Sequence, residues 1–403
     1  MKQDGPITQA VLDRILPHVT RPARYTGGEW NSTVKDWEAT EVRMALVYPD
    51  LYEVGMSNMG LALLYELLNA QPHILVERAF TPWPDMEAAL RGAGLPLYSL
   101  ESRHPLSHFD IIGFSLGCEL TYTNVLKTLD LSGIPLLALH RGENDPLVIA
   151  GGTCAVNPEP MTDFFDLFVI GEGEEVTVEL LDTYRAWKAK GNDGKKAFLR
   201  QAAAIPGIYV PSLYDVAYRP DGTIETIVPT VPEAPARVTR RWVRKLPPSP
   251  VRPIVPFVEV IHDRAAIEVQ RGCGRGCRFC QAGIIYRPPR ERSMEDILGA
   301  AEKILENTGY GELSLLSLST SDYSGAEALV AELSERHQED RLAISLPSLR
   351  MDSFSIGLAD ALRKGKRTGL TFAPEAGSQR LRESINKIAT EDDLLNAAES
   401  AFA

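Results

Sequence analysis

The stretch that most constrains this chain is Ala266–Gln281, AIEVQRGCGRGCRFCQ. Its apolar start, Ala266–Val269, reads as a buried strand. The strand empties into a glycine-rich loop holding Cys273, Cys277 and Cys280, spaced C-x3-C-x2-C. Three thiolates on one loop suit three irons of a [4Fe–4S] cube, because soft sulfur suits iron and such clusters are held by cysteines. A structural cube takes a fourth protein ligand, so here one iron stays open to something that is not a cysteine. Gly272, Gly274 and Gly276 let the backbone wrap closely, and Phe279 gives the loop an apolar face. The alternative is a zinc knuckle or three unrelated thiols. Zinc sites pair C-x2-C with a second ligand pair, and none is evident nearby.

With an aromatic residue just before its last cysteine, this loop resembles the signature of the radical SAM superfamily. Cys273, Cys277, Phe279 and Cys280 match it position by position. The resemblance implies that the cysteines hold a [4Fe–4S] cluster whose open iron binds the amino and carboxylate groups of S-adenosylmethionine. It implies that an electron from the cluster cleaves the sulfonium to a 5′-deoxyadenosyl radical. It also implies an outside electron donor such as flavodoxin or ferredoxin.

A chain of 403 residues holds two or three domains. The N-terminus MKQDGPITQA lacks the apolar stretch of a signal peptide, and no apolar run approaches a membrane span. Five cysteines, three in one metal-type motif, suit a reducing cytoplasm better than a disulfide scaffold. The net charge of −12 opposes non-specific nucleic-acid binding by the whole surface. Basic clusters at Arg237–Arg252 and Arg287–Arg292 read as solvated faces.

Residues 1–40 read as an irregular lead-in. Over residues 41–194, strands are expected at Val42–Tyr48, Ile74–Phe80, Asp110–Ser115, Leu136–Leu139, Leu147–Ala150 and Leu167–Ile170. Helical patterns separate them, the first with Ser57 as a plausible N-cap. Alternation of this kind predicts a doubly wound α/β domain, with ligands at the carboxyl ends of the strands. Those ends carry Gly55, Ser57 and Asn58, then Gly117 and Cys118, then Gly151, Gly152 and Cys154, then Glu172 within GEGEE. Small residues there suit close approach of a large flat ligand, although strand-to-helix turns are glycine-rich in any such fold.

The runs PDLYEVGMSNMGLALL, GGTCAVNPEP and GEGEE, placed before a radical SAM core, look like the cobalamin-binding class of that superfamily. The detailed resemblance is to its B12-binding proteins of unassigned substrate. It implies a cobalamin site on Gly55, Ser57, Asn58, Gly117, Gly151, Gly152 and Glu172. The D-x-H-x-x-G motif that supplies a histidine to cobalt in some cobalamin proteins is absent. His73, His104, His108 and His140 have no such context, so cobalt is expected without histidine. Cys118 and Cys154 read as small buried hydrophobes.

Residues 195–256 read as a hairpin turning at Pro220-Asp221-Gly222, then a Pro/Arg-rich linker. Residues 257–403 read as a (β/α) series curling into a partial (β/α)6 barrel, with its chemistry at the carboxyl strand ends. Strands are expected at Leu313–Leu318, Leu342–Leu346 and Gly369–Phe372, and helices at Met294–Asn307, Gly325–His337, Phe354–Arg363, Ser378–Asn386 and Asp392–Ala403. By resemblance, Ser319 and Asp322 stand where the family holds the amino group of S-adenosylmethionine. Arg350 offers a fork for a carboxylate. Glu375 and Ser378 resemble ribose and amino-acid contacts, with a helix cap as the alternative for the Gly-Ser turn. Four β/α units are legible where the family has six, so the chain reads as ending inside the core.

These expectations add up to a cobalamin-dependent radical SAM enzyme that methylates or otherwise modifies an unidentified substrate. One rival makes the first domain a recognition module without cobalamin. Another makes the chain a non-catalytic iron–sulfur module.

Overall fold

The computed structural model describes residues 5–191, 193–353, 356–363 and 369–402. The chain divides into two compact units: Met1–Val243 with Ile254–Ile261, and Arg244–Pro253 with His262–Ala403.

The first unit is built on strands β1 (Val42–Tyr48), β2 (Ile74–Phe80), β3 (Ile111–Ser115), β4 (Leu147–Gly151), β5 (Leu167–Val169) and β6 (Ile208–Tyr209). Their order is β2-β1-β3-β4-β5-β6; the first five are parallel and β6 is antiparallel. Both faces are covered, which is why β1 is apolar throughout Met44–Tyr48, past Arg43 near its start. Val42, Met44 and Leu46 join one core, while Ala45 and Val47 join the other. Helices α3 (Met59–Asn69) and α6 (Gly173–Ala189) line the first core; α1 (Gln9–Ile15), α4 (Pro84–Ala93) and α5 (Tyr122–Leu131) line the second. A short helix, α2 (Tyr52–Met56), precedes α3. Gly94, at φ 63°, ends α4 in the left-handed region.

Several elements differ from the sequence expectation. Asn58, not Ser57, caps α3: its side chain accepts from the Leu61 N–H at 2.9 Å, while Ser57 Oγ donates back to Glu53 O. Leu136–Leu139 is not a strand. Ala138–His140 is a 3-10 turn, Arg141 donates to the carbonyls of Pro135 and Leu136, and Leu139 is exposed. Residues 195–210, read as part of the hairpin and linker, form α7 (Lys195–Ala203) and the edge strand β6. The expected hairpin is present as β7 (Tyr214–Tyr218) and β8 (Ile224–Pro229), with Gly222 at φ 83° in the turn. The Arg-rich stretch is not free chain either. Arg241 bridges in parallel to Gly171, donating to Ile170 O at 2.8 Å and accepting from the Glu172 N–H at 2.9 Å.

The lead-in is anchored by charge. Arg78 on β2 is fully buried and clamped by Glu29 at 2.8 Å and Glu101 at 2.7 Å.

In the second unit β9 (Ala265–Glu268), β12 (Glu312–Leu316) and β13 (Ala343–Ser345) are parallel, in the order β13-β12-β9. A parallel bridge from Leu349 to Phe372 extends the series. Neighbours in sequence are neighbours in the sheet, the arrangement of a (β/α) barrel wall. Helices α9 (Met294–Thr308), α10 (Ala326–Arg336) and α11 (Ile356–Arg363) bury their apolar stripes against it. Ser293 caps α9, accepting from the Asp296 N–H at 3.1 Å. A short antiparallel pair, β10 (Gln270–Arg271) with β11 (Arg290–Glu291), flanks the cysteine loop and the short helix α8 (Ala282–Ile285). Helices α12 (Gln379–Ser384) and α13 (Glu391–Phe402) follow. Phe354 and Ala403, expected in helices, lie outside the described residues. Among the described residues no helix is long and apolar enough to cross a membrane.

Candidate cluster and cofactor sites

At the carboxyl ends of the second unit's strands the chain turns polar each time. After β9 comes the cysteine loop, after β12 Ser317–Asp322, after β13 Ser348–Asp352, and after Phe372 the turn to Ser378. The first three of these segments bond to one another, through Arg275 to Asp322 and Asp352 and through the Arg350 N–H to Ser321 Oγ, and the Leu349–Phe372 bridge leads into the fourth.

The loop itself depends on glycine. Gly272 sits at φ 84°, and a Cβ there would come within 2.3 Å of Tyr286 O. Cys273, Cys277 and Cys280 are free thiols, each half-buried. Cys280 Sγ accepts from the Gly283 N–H at 3.3 Å, and Arg350 Nη1 lies 3.9 Å from Cys277 Sγ. Among the described residues no three His, Cys, Asp or Glu side chains gather tightly enough for a single metal ion. A four-iron cube does not ask for that, since each cysteine holds a different iron. The donor set therefore fits such a cluster.

The loop is clamped by a residue that sequence reasoning missed. Asn386 donates through Nδ2 to Gly276 O at 2.9 Å and to Arg275 O at 3.2 Å. Next to it, the Arg278 N–H donates to Ile385 O at 2.9 Å. Asn386 takes a left-handed φ of 55° just past α12, a place where asparagine commonly ends a helix. That position was the available signal. Ser348 and Glu375 are also left-handed, at 61° and 65°, so strained backbone collects at these strand ends.

The expected S-adenosylmethionine contacts are drawn together, but largely through protein partners. Asp322 receives the Arg275 fork, with Nε at 2.8 Å, and the Ser319 hydroxyl at 2.6 Å. Burial alone would raise the Asp322 carboxyl, yet these donors hold it below the ordinary carboxylate range. Arg350 puts its fork on Asp352 at 2.9 and 3.0 Å. Glu375 is exposed and paired with Lys387 at 2.7 Å. Ser378 caps α12, so the capping alternative describes its hydroxyl. Phe279 is 55% exposed beside its cysteine.

In the first unit the strand order reverses between β1 and β3, and their carboxyl ends open the crevice where such sheets take ligands. Tyr48 ends β1, and its hydroxyl would lie 3.2 Å from a Cβ on Gly117 after β3. Gly151 and Gly152 pack against the same loop: the Leu116 N–H donates to Gly151 O at 2.7 Å, and a Cβ on Gly152 would meet Leu116 O at 2.7 Å. Gly152 at φ 100° is thus demanded by the fold itself. Gly55 is demanded by packing, since its Cβ would meet the Phe80 ring at 2.3 Å. Glu172 is buried and accepts from the Val243 N–H at 2.8 Å. Cys118 is exposed, not buried as expected, because it starts the loop beyond β3. Cys154 is buried, and burial followed by the Glu119 charge pushes its thiol up to about 11. Burial, followed by His108 and Arg43, pushes His104 down to about 4; it stacks on Trp37 at 3.7 Å. His73 bonds Asp182 at 2.9 Å.

Comparison with known proteins agrees with this geometry. Residues 60–211 match the family described as radical SAM proteins, N-terminal, and residues 267–403 match the radical SAM superfamily. The chain therefore carries a radical SAM domain in its second unit, behind the N-terminal domain of that family. An uncharacterised protein of Methanocaldococcus jannaschii is 27% identical over 365 residues, covering 89% of this chain and 66% of the relative. A tRNA-2-methylthio-N(6)-dimethylallyladenosine synthase of Acetivibrio thermocellus is 27% identical over 142 residues, covering 33% of this chain and 29% of that protein. Among solved structures, the radical S-adenosylmethionine methyltransferase TsrM of Kitasatospora setae, with tryptophan and an S-adenosylmethionine analogue bound, has a TM-score of 0.56 at 15% identity. It covers 89% of this chain and 65% of TsrM. The cobalamin-dependent radical enzyme OxsB, with aqua-cobalamin and S-adenosylmethionine bound, also scores 0.56 at 14% identity, covering 89% of this chain and 47% of OxsB. The fold is thus that of cobalamin-dependent radical SAM enzymes, and the chain spans about two thirds or less of these proteins.

Proposed function

We propose that this chain is a radical SAM enzyme whose first unit binds cobalamin and whose substrate carries an unactivated carbon. The observation that carries the reading is the convergence of the strand-end segments after β12 and β13 on the three-cysteine loop. Bound there, the cluster and S-adenosylmethionine would supply hydrogen abstraction, with cobalamin supplying a methyl group or another radical step. Cys273, Cys277 and Cys280 would hold the irons. Arg275, Asp322 and Asn386 keep the loop in shape. Ser319, Arg350 and Glu375 would contact S-adenosylmethionine by exchanging their present partners, Asp322, Asp352 and Lys387. Tyr48, Gly117 and Asn58 border the crevice proposed for the corrin, with cobalt lacking a histidine. A flavodoxin or ferredoxin is the class of electron donor proposed.

A second reading is favoured by the similarity to the tRNA-modifying synthase. It leaves cobalamin out and makes the first unit a recognition module.

Anaerobic reconstitution tests the cluster. Alanine at Cys273, Cys277 or Cys280 should each abolish the stable four-iron absorbance, while alanine at Cys118 or Cys154 leaves iron intact. Added S-adenosylmethionine should then change the EPR spectrum of the reduced wild-type cluster. An unchanged spectrum would remove the basis for both enzyme readings.

A further inference from the structure

We infer that Arg350 is a positioning charge that sets the reduction potential of the cluster, an inference that rests on the cluster reading above. Arg350 follows β13, and its backbone N–H donates to Ser321 Oγ at 3.0 Å. Its fork is held by Asp352, Nε to Oδ1 at 2.9 Å and Nη2 to Oδ2 at 3.0 Å. The other terminal nitrogen, Nη1, lies 3.9 Å from Cys277 Sγ. The Arg350 side chain is only 11% exposed. The guanidinium is therefore fixed by a carboxylate on one side and presented to a cluster cysteine on the other. Binding a ligand carboxylate would require the Asp352 bonds to be given up. Acting on Cys277 requires no movement.

One-electron reduction by an external low-potential reductant adds a negative charge to the cluster and its sulfurs. A fixed cation beside one sulfur favours that more negative state, and donors to the sulfurs are among the determinants of cluster potential. Asp352 acts in the opposite sense. It partly cancels the Arg350 charge and also receives Arg275 Nη1 at 3.2 Å. The pair should therefore show opposite signs, which a merely structural role would not produce.

The experiment is an EPR-monitored redox titration of the reconstituted full chain with dithionite, without S-adenosylmethionine. Arg350→Gln should lower the equilibrium constant for reduction about tenfold, or 59 mV for one electron. Arg350→Lys should stay near wild type, and Asp352→Asn should shift upward. An Arg350→Gln protein with full iron and a wild-type potential would overturn the inference. If Arg350→Gln holds no cluster, Asp352→Asn decides: an unchanged or lowered potential overturns it, a raised one supports it. A wild-type chain that assembles no four-iron cluster would instead sink the underlying cluster reading, and the inference with it.

Discussion

Arg275 of the cysteine loop forks onto Asp322 beyond β12, through Nε to Oδ2 at 2.8 Å and through Nη2 to Oδ1. The two residues are 47 apart in sequence, and the pair ties the loop to the neighbouring strand end. The Asp322 carboxylate is mostly buried, whereas Arg275 is 38% exposed, so solvent screening limits the worth of the pair. Asp322→Ala should cost about 1 kcal/mol of global stability. Its larger effect should be on loop order, read as faster loss of iron from the reconstituted protein. Iron retention at the wild-type rate would show that the loop keeps its shape with Arg275 held by Asp352 alone.

A second prediction concerns the lead-in. Arg78 and Glu29 are 1% and 0% exposed, and the pair is bidentate, with Nη1 to Oε1 at 3.2 Å and Nη2 to Oε2 at 2.8 Å. Tyr52 adds its hydroxyl to Glu29 at 2.8 Å. Removing one partner of such a pair leaves a buried charge short of its counterion. Glu29→Ala should therefore cost about 3–5 kcal/mol in urea denaturation. The exposed control Glu38→Ala should cost next to nothing. Equal small effects would mean that Glu101 alone satisfies Arg78.

The neighbouring Glu77 predicts a pH dependence. It is 2% exposed and accepts from the Ser102 hydroxyl at 2.6 Å. Burial, followed by the Glu101 charge, pushes its carboxyl up to about 7. A carboxyl raised by folding contributes stability that is present below its unfolded value, about 4.5, and lost as pH rises through 7. Up to about 3 kcal/mol should disappear over that interval. Glu77→Gln, which keeps the shape without the charge, should flatten the curve and melt higher than wild type at pH 8. Parallel melting profiles for the two proteins from pH 5 to 8 would rule Glu77 out as the source.

These two buried carboxylates mark the limit of what the sequence carries. β1 was legible because burial on both faces leaves the apolar run Met44–Tyr48, and the cysteine loop because its spacing is chemistry. The Ser293 cap was legible because its hydrogen bond is local. Arg78 with Glu29 is a contact across 49 residues, and no local pattern distinguishes it from two surface charges. β6 is two residues long and is a strand only because β5 lies beside it. The Arg241 strap is likewise defined by backbone bonds to Ile170 and Glu172, inside a stretch whose composition reads as linker. Ser57 and Asn58 are both good caps, and one residue of register decided between them. Polar residues at strand ends were visible, but their pairing was not. Arg350 as a free fork and Arg350 spent on Asp352 look the same in sequence.

Cobalamin binding is best tested by filling the crevice without straining the backbone. Gly152 invites a bulky substitution, but its φ of 100° and the Leu116 carbonyl 2.7 Å from any Cβ mean that Gly152→Phe would damage the fold first. Lost binding would then say nothing about a ligand. Gly117 is the better site. Its backbone is not in the left-handed region, and the one heavy atom near an added Cβ is the Tyr48 hydroxyl at 3.2 Å, the end of a side chain that can shift. Gly117→Leu should therefore fold with wild-type circular dichroism and lose hydroxocobalamin retention on gel filtration, because the leucine would fill the crevice between β1 and β3. Tyr48→Phe should retain it, which separates filling the crevice from losing the hydroxyl. With wild type loaded, the cobalt(II) EPR spectrum should show no nitrogen superhyperfine splitting, in keeping with His73 and His104 being engaged by Asp182 and Trp37. Splitting would bring a histidine back as a ligand. Failure of the wild-type chain to retain the corrin at all would leave the first unit as a recognition module, the reading that the tRNA-modifying relative favours.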